Sequence, residues 1–466
     1  MPERAEVTVV QSGFGPKRGA HSVQRGHPRS GSKPSARGIP LFKALPSLGR
    51  SERNQGSDWM ASSLQGNGPV LALRTDRPTA VYRVGETVLF RVEPHDRFRS
   101  PRASMRYSIV RDGFSTVGSG VLEPSDLPWE VEVPCEAPGF ISIWVELGLS
   151  GGKQSLGAAA AVAPERIAPS MPIPGDFQEF WGDQKERLIS GPLRASVTHH
   201  GDCPDGRIYK AVISMPGGRN IHGWLLIPRG RGPFPGLVRY HGSGVYPVPP
   251  ENGLDWTRRE VMVLSINPHP IPNDMPKDFY LRLRMGSLSR YAKRGRTRRE
   301  RLYFRGMFLR AVRAVDFLCE RAEWDGENLF VEGHSQGGGQ ALAAAALSGK
   351  VTGLVASCST HCDLTGPVVG RAAGWPNLIR LRKGVPDPVH VRAARYIDGV
   401  NFASMIHCPS LFSLGFLDDI CPPTGIYAAY NTLRGPKGVR HEVTTGHVHT
   451  DACKAATYEW VARQIG

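Results

Sequence analysis

The chain has 466 residues, 40% of them hydrophobic and 21% charged, with a formal net charge of +16. Such a length is too great for one core and predicts two or three domains, while the composition is near that of ordinary soluble proteins. No window approaches 18 uninterrupted apolar residues, which excludes a transmembrane helix, and the positive balance favours contact with nucleic acid, anionic glycans or membrane surfaces without showing any of them.

Residues 1–66 open the chain with text such as "GFGPKRGAHSVQRGHPRSGSKPSARG", rich in Gly, Ser, Pro and Arg and poor in aliphatics. A disordered basic extension is expected there. It has early charge but no apolar segment of a secretory signal, so the cytoplasm is the default compartment and export would require a different N-terminus. Met60 offers a conceivable translation start just before the first structured-looking segment.

Over residues 67–165 the pattern changes to short alternating runs: "VLALRT", "ETVLFRVEP", "MRYSIVRD", "PWEVEVPC" and "GFISIWVELG". Turn residues punctuate them at regular intervals, which predicts a small immunoglobulin-like β-sandwich. Trp129 and Trp144 are expected as strand or core aromatics, with carbohydrate contact as the sharper alternative. From 166 to 466, β-prone runs alternate with helical ones. "VMVLSINP", "NLFVEG", "VTGLVASCS" and "PSLFSLGFLDD" read as strands. "YFRGMFLRAVRAVDFLCERAE" reads as a helix with Phe304, Phe308, Ala311, Val312, Val315 and Leu318 on one side. This alternation predicts a mostly parallel sheet with helices on both faces.

Eight cysteines are spread along the chain, and only Cys358 and Cys362 lie close together. A lone C-x-x-x-C is a weak metal or redox signal, and buried free thiols are the expectation.

The chemistry concentrates in loops after strands. Gly333-His334-Ser335-Gln336-Gly337 fits G-x-S-x-G between a strand and a helix. A sharp turn there lifts a serine hydroxyl clear of the backbone, and small flanking residues let strand and helix pass close together. A serine needs a base, and the base an orienting carboxylate. In this chain order the acid follows a later strand, at Asp418 or Asp419, and the base precedes the last helix, at His447 or His449. Position alone leaves both doublets open: one aspartate could orient the base while the other caps the helix at Pro422. The backbone N–H of Gln336 and that of Ser243, in "RYHGSGVYP", are the expected oxyanion donors.

With these residues assembled, the chain resembles the acetyl xylan esterase and cephalosporin C deacetylase family of α/β-hydrolases over about residues 166–466. The likeness is carried by "PIPGDFQEFW", "IHGWLLIP", "LRAVRAVDFL", "GHSQGGGQALAAAAL", "LDDICPPTGIYAAYN" and "TGHVH". It implies an α/β-hydrolase fold, with Ser335 as nucleophile, Asp418 as acid, His447 as base, and Ser243 and Gln336 at the oxyanion hole. It implies removal of small acyl groups, above all acetyl, from carbohydrate or related esters, with no metal or organic cofactor. Departures from the family's pattern are Ser243 where a tyrosine is usual, His334 where glycine is frequent, and the basic stretch over 282–302. That stretch holds nine Lys or Arg and one acid, Glu300. It reads as a solvated insertion, an oligomer contact or a clamp for an acidic polymer such as a uronate-bearing glycan; no nucleic-acid motif accompanies it, so nucleic acid is not the expected partner. A homo-oligomer is compatible with the sequence. The alternatives are an acyl-CoA thioesterase or acyltransferase of the same fold, and a non-enzymatic binding protein using its basic surface.

Overall fold

Residues 71–95, 105–149 and 152–466 are described by the computed structural model. The expected disordered extension over 1–66 lies outside the described residues. Eight strands come first: β1 (Leu71–Thr75), β2 (Val81–Tyr82), β3 (Thr87–Pro94), β4 (Met105–Arg111), β5 (Ser115–Leu122), β6 (Trp129–Pro134), β7 (Gly139–Leu149) and β8 (Gly152–Val162). They form a three-stranded sheet, β1-β3-β6, and a five-stranded one, β2-β8-β7-β4-β5. All pairings are antiparallel except that of the short β2 with β8. Alternation drives the burial: Val88, Phe90 and Val92 of β3 point inward, against Ile141 and Ile143 or Val145 of β7. Trp129 packs its ring 4.6 Å from that of Tyr107, and the Trp144 indole N–H donates to Ser142 Oγ at 3.2 Å. Both are half-buried strand aromatics.

The rest of the chain runs α1 (Phe177–Ile189), β9 (Ala195–Cys203), β10 (Gly206–Ile213), β11 (Ile221–Pro228), β12 (Phe234–Tyr240), α2 (Leu254–Thr257), β13 (Met262–Ile266), α3 (Lys277–Met285), α4 (Tyr303–Cys319), β14 (Trp324–His334), α5 (Gln336–Ser348) and β15 (Gly353–Ser357). A two-residue pair, β16 (Leu381–Arg382) with β17 (Val385–Pro386), follows, then α6 (Pro388–Ala394), α7 (Gly399–Ala403), β18 (Ser410–Gly415), α8 (Pro423–Thr432), β19 (Lys437–Glu442) and α9 (Asp451–Ile465). Nine strands make one sheet, β19-β18-β15-β14-β12-β13-β11-β10-β9. The six from β19 to β13 are mutually parallel, and the last three are antiparallel. The antiparallel edge has a local cause. Only Pro204 and Asp205 separate β9 from β10, and so short a link can only return the chain antiparallel.

Successive residues of the central strands face opposite sides. Trp224, Leu226, Leu237, Val263, Phe330 and Val355 meet Trp256 of α2 and Trp460 of α9. Leu225, Val238, Leu264, Val331, Leu354 and Phe412 meet α4, α5 and α8. The helical stripe expected on α4 is buried throughout: Phe304, Phe308, Ala311, Val312, Val315 and Leu318. The sandwich joins the same core, with Phe140, Ala159 and Ala161 against Phe416 and Tyr427. Five cysteines are buried free thiols, Cys358 and Cys362 among them, and Cys203, Cys319 and Cys408 are half-buried. Among the described residues no helix is long and apolar enough to cross a membrane.

A charged cluster ties β14 to its neighbour β12. Arg239 of β12 donates to both Asp255 oxygens, at 2.8 and 2.7 Å, and to Glu332 Oε2 on β14 at 3.1 Å. Trp256 Nε1 donates to the same Glu332 oxygen at 2.7 Å, and the Tyr458 hydroxyl donates to Asp255 at 2.7 Å. Burial alone would raise the Asp255 carboxyl, but the Arg239 guanidinium and the Tyr458 hydroxyl outweigh it and hold it below its usual range. Removing the shared cation strands a buried carboxylate. Arg239→Ala should therefore cost about 3–5 kcal/mol of stability, read as a lower denaturant midpoint in equilibrium unfolding.

Candidate active site

The site is built where three loops leave the carboxyl edge of the parallel strands. β14 ends at His334 and α5 begins at Gln336, so Ser335 alone makes the turn. Its backbone sits at φ 58°, ψ −122°, a region that costs a non-glycine residue about 1–3 kcal/mol. Hydrogen bonds on both sides hold it there: Ser335 N donates to Ser357 O at 2.9 Å, and Ser335 O accepts from Thr360 N at 3.1 Å. The glycines are needed for space. A Cβ on Gly333 would lie 2.1 Å from the Gly337 carbonyl carbon, and one on Gly337 would lie 2.2 Å from the Tyr240 carbonyl oxygen.

The loop after β18 carries Asp418, and the loop after β19 carries His447. They are laced together by Leu417 N to Thr445 O at 3.0 Å and Phe416 N to Glu442 O at 3.1 Å. Gly415 is required at this crossing, because a Cβ there would meet Gly446 O at 2.2 Å. Asp418 is buried. Its Oδ1 accepts from the Ile420 and Cys421 N–H groups at 2.9 and 2.7 Å, which aims Oδ2 at His447. His447 Nδ1 lies 2.8 Å from Asp418 Oδ2, and Nε2 lies 2.8 Å from Ser335 Oγ. A carboxylate only accepts, so Nδ1 carries the proton and Nε2 accepts from the serine hydroxyl. Ser335, His447 and Asp418 thus form one continuous chain of hydrogen bonds.

The doublets separate clearly. Asp419 is exposed, while buried Asp418 accepts the Ile420 and Cys421 N–H groups of the turn before α8. Pro422 stands at the N-cap of that helix and its ring supplies no capping bond. His449 lies with its ring parallel to His334, centroids 5.4 Å apart, and His334 lies 5.0 Å from His447. Burial, with His447 and His449 alongside, lowers the His334 imidazole to about 3, so it stays neutral beside His447.

Gln336 is the first residue of α5, where a backbone N–H has no acceptor inside the helix. The loop after β12, carrying Ser243, packs against the same helix start: Gln336 Nε2 donates to Gly242 O at 3.2 Å, and Gln340 Nε2 to His241 O at 3.0 Å. Sequence reasoning missed the groups that hold this loop from the other side, Tyr291, His269 and Tyr303. Tyr291 lies inside the basic stretch, where charge hid it; its neighbours Leu288 and Leu302, buried in the same cluster, were the available signal.

Among the described residues, two groups could bring three ligand atoms within 4.8 Å: His334, Cys358 and His447, and Asp418, Cys421 and His447. Both draw on His447, whose two nitrogens already face Asp418 and Ser335. Burial, reinforced by Asp418, also pushes the Cys358 thiol well up.

A family profile described as acetyl xylan esterase (AXE1) matches residues 165–464. The chain belongs to the acetyl xylan esterase family. A relative, the acetyl esterase Axe7A of Xylanibacter ruminicola, is 28% identical over 338 residues, covering 70% of this chain and 75% of that protein. The solved acetyl xylan esterase from Paenibacillus sp. R4 is 29% identical, with a TM-score of 0.56, over 64% of this chain and 98% of its own. Acetyl xylan esterase 1 from Thermoanaerobacterium sp. JW/SL YS485, 20% identical with a TM-score of 0.55 over 65% of this chain and 98% of its own, shares the fold. Membership of the acetyl xylan esterase family makes this chain a carboxylic ester hydrolase of α/β-hydrolase fold.

The crowding at the elbow yields a direct test. Gly337→Ala places its methyl against a backbone oxygen that cannot turn aside. The variant should lose about 1–3 kcal/mol of stability and most of its labelling by a serine-directed fluorophosphonate, measured by thermal unfolding and probe incorporation.

Proposed function

We propose that this esterase removes small acyl groups, foremost acetyl, from a carbohydrate or a related small-molecule ester. Ser335 acts as nucleophile, His447 as base, Asp418 as its orienting acid, and the N–H groups of Gln336 and Ser243 as oxyanion donors. The observation that carries this reading is the unbroken relay, 2.8 Å from Ser335 Oγ to His447 and 2.8 Å from His447 to Asp418. The names of the relatives, an acetyl esterase and an acetyl xylan esterase, supply the acyl group and the carbohydrate.

Ser335 Oγ attacks the ester carbonyl carbon while its proton passes to His447 Nε2. The carbonyl oxygen becomes an oxyanion beside the two amide donors, and Asp418 stabilises the imidazolium. Collapse breaks the bond to the sugar oxygen, which leaves with the proton from His447. Acetyl stays on Ser335 until a water, deprotonated by His447, attacks it and acetate departs. The family match begins at residue 165, which supports a boundary between the sandwich (67–165) and the catalytic domain (166–466).

Ser335→Ala should lower acetate release by at least about a thousandfold while leaving the unfolding midpoint close to that of the parent. Acetylated xylan, acetylated pectin, simple sugar acetates and an acyl-CoA, assayed side by side, identify the leaving group. Preference for the thioester would replace the carbohydrate reading with that of a thioesterase. Undiminished turnover in Ser335→Ala would remove the nucleophile assignment.

A further inference from the structure

The segment from β12 to Val245 must present one backbone N–H, that of Ser243, in a fixed direction, although it is a glycine-flanked loop. Its neighbouring peptide groups are held individually. The Gly242 carbonyl accepts from Gln336 Nε2 at 3.2 Å. A peptide unit is planar and trans, so anchoring that carbonyl sends the Ser243 N–H to the opposite side of the same plane. The Ser243 carbonyl accepts from the Tyr246 hydroxyl at 3.0 Å. The Gly244 N–H donates to the Tyr291 hydroxyl at 3.2 Å, and the Gly244 carbonyl lies 2.9 Å from His269 Nε2.

His269 has its protons fixed by these contacts. Burial lowers its imidazole to about 4, so it is neutral near pH 7. Facing a carbonyl, Nε2 must carry the hydrogen, which leaves Nδ1 to accept from the Tyr303 hydroxyl at 2.7 Å. Tyr291 has the more consequential position. Its hydroxyl accepts from Gly244 N–H and donates to Gln336 Oε1 at 2.8 Å, joining the two segments that carry the two amide donors. Its ring is buried, 4.6 Å from that of His269, 5.3 Å from Tyr303 and 6.3 Å from Phe304. The Gln336 side chain completes the bridge, taking the Tyr291 proton at Oε1 and giving its own from Nε2 to Gly242.

We propose that Tyr291 is a positioning residue for the oxyanion hole, its hydroxyl locking the Ser243 loop to the start of α5 through Gly244 and Gln336. The basic stretch over 282–302 thereby has a buried, site-building end as well as an exposed charged one. This inference rests on the reading of Gln336 and Ser243 as oxyanion donors. Preorganised donors stabilise charge only if they need not move when it forms, so the bridge should matter in the transition state and little in the ground state.

The test is Tyr291→Phe, which keeps the ring and removes both hydrogen bonds. Acetate release should show kcat lowered roughly tenfold, less than the 10²–10³-fold loss typical of deleting a donor outright, with KM changed by less than about twofold. Affinity for a methylboronic acid, which forms a tetrahedral anionic adduct on the serine, should weaken by a similar factor, and a purely structural role would not produce that pairing. In the double variant with Gln336→Met the losses should fall well short of multiplying, since both changes cut one bridge. Should Tyr291→Phe fail to fold, Gln336→Met alone is read for the same kcat and boronate effects. Parental kcat and boronate affinity in the folded variant overturn the proposal, and so do losses that multiply fully. If Ser335→Ala is inactive while Tyr291→Phe is unimpaired, only this inference fails; activity in Ser335→Ala removes the reading beneath it.

Discussion

The rest of the site depends on a backbone crossing too tight for side chains. At the end of β14 the chain must reverse into α5 within one residue, and the helix start then runs directly under the end of β12. Positions 333 and 337 meet other backbone atoms at little more than 2 Å from where a Cβ would stand. Glycine there is a steric requirement. The consequence is chemical: Ser335, forced to positive φ, is the residue left protruding at the apex. The same compression brings Gln336, at the helix start, beside the loop after β12, so one steric fact sets both the exposed turn at Ser335 and the meeting of the two segments proposed to supply the amide donors.

Supports for this crossing come from several directions. Below it, Arg239 binds β12 to β14 through Glu332, three residues before Ser335. Beside it, the loops carrying Asp418 and His447 share their own close crossing at Gly415 and Gly446. The sandwich takes part as well. The Phe140 ring packs 5.1 Å from that of Phe416, and the Asp112 carboxylate accepts from Thr424 Oγ1 at 2.8 Å. Those contacts flank the loop carrying Asp418, so the N-terminal sheets serve as one wall of that loop's seat.

Some of this was legible in local patterns. The period-two runs of β3 and β7, the helical stripe of α4 and the strand–Ser–helix junction each report a constraint acting within a dozen residues. Strands β5 and β8 escaped notice for a physical reason. "STVGSGVL" lacks a sustained apolar alternation, and "GKQSLGAAAAV" is rich in alanine, which favours helix when local preference decides. In β8 packing decides instead: a Cβ on Gly157 would lie 2.9 Å from the Trp144 ring and 3.1 Å from Leu417, so only very small residues fit between neighbouring layers.

By itself the sequence determined which residue types stood at the ends of which strands, because strand and helix periodicity and the glycine spacing are local properties written in consecutive residues. It also limited the acid to Asp418 or Asp419 and the base to His447 or His449, with family resemblance favouring the first of each. Tertiary structure alone decided which oxygen faces which nitrogen, since that depends on backbone N–H groups of Ile420 and Cys421 turning the carboxylate. It alone brought Tyr291, 45 residues before Gln336 in the chain, into hydrogen bond with it. Such contacts join segments whose separation along the chain carries no periodic signal, and only the closing of the sheet and its covering helices gives them a common place.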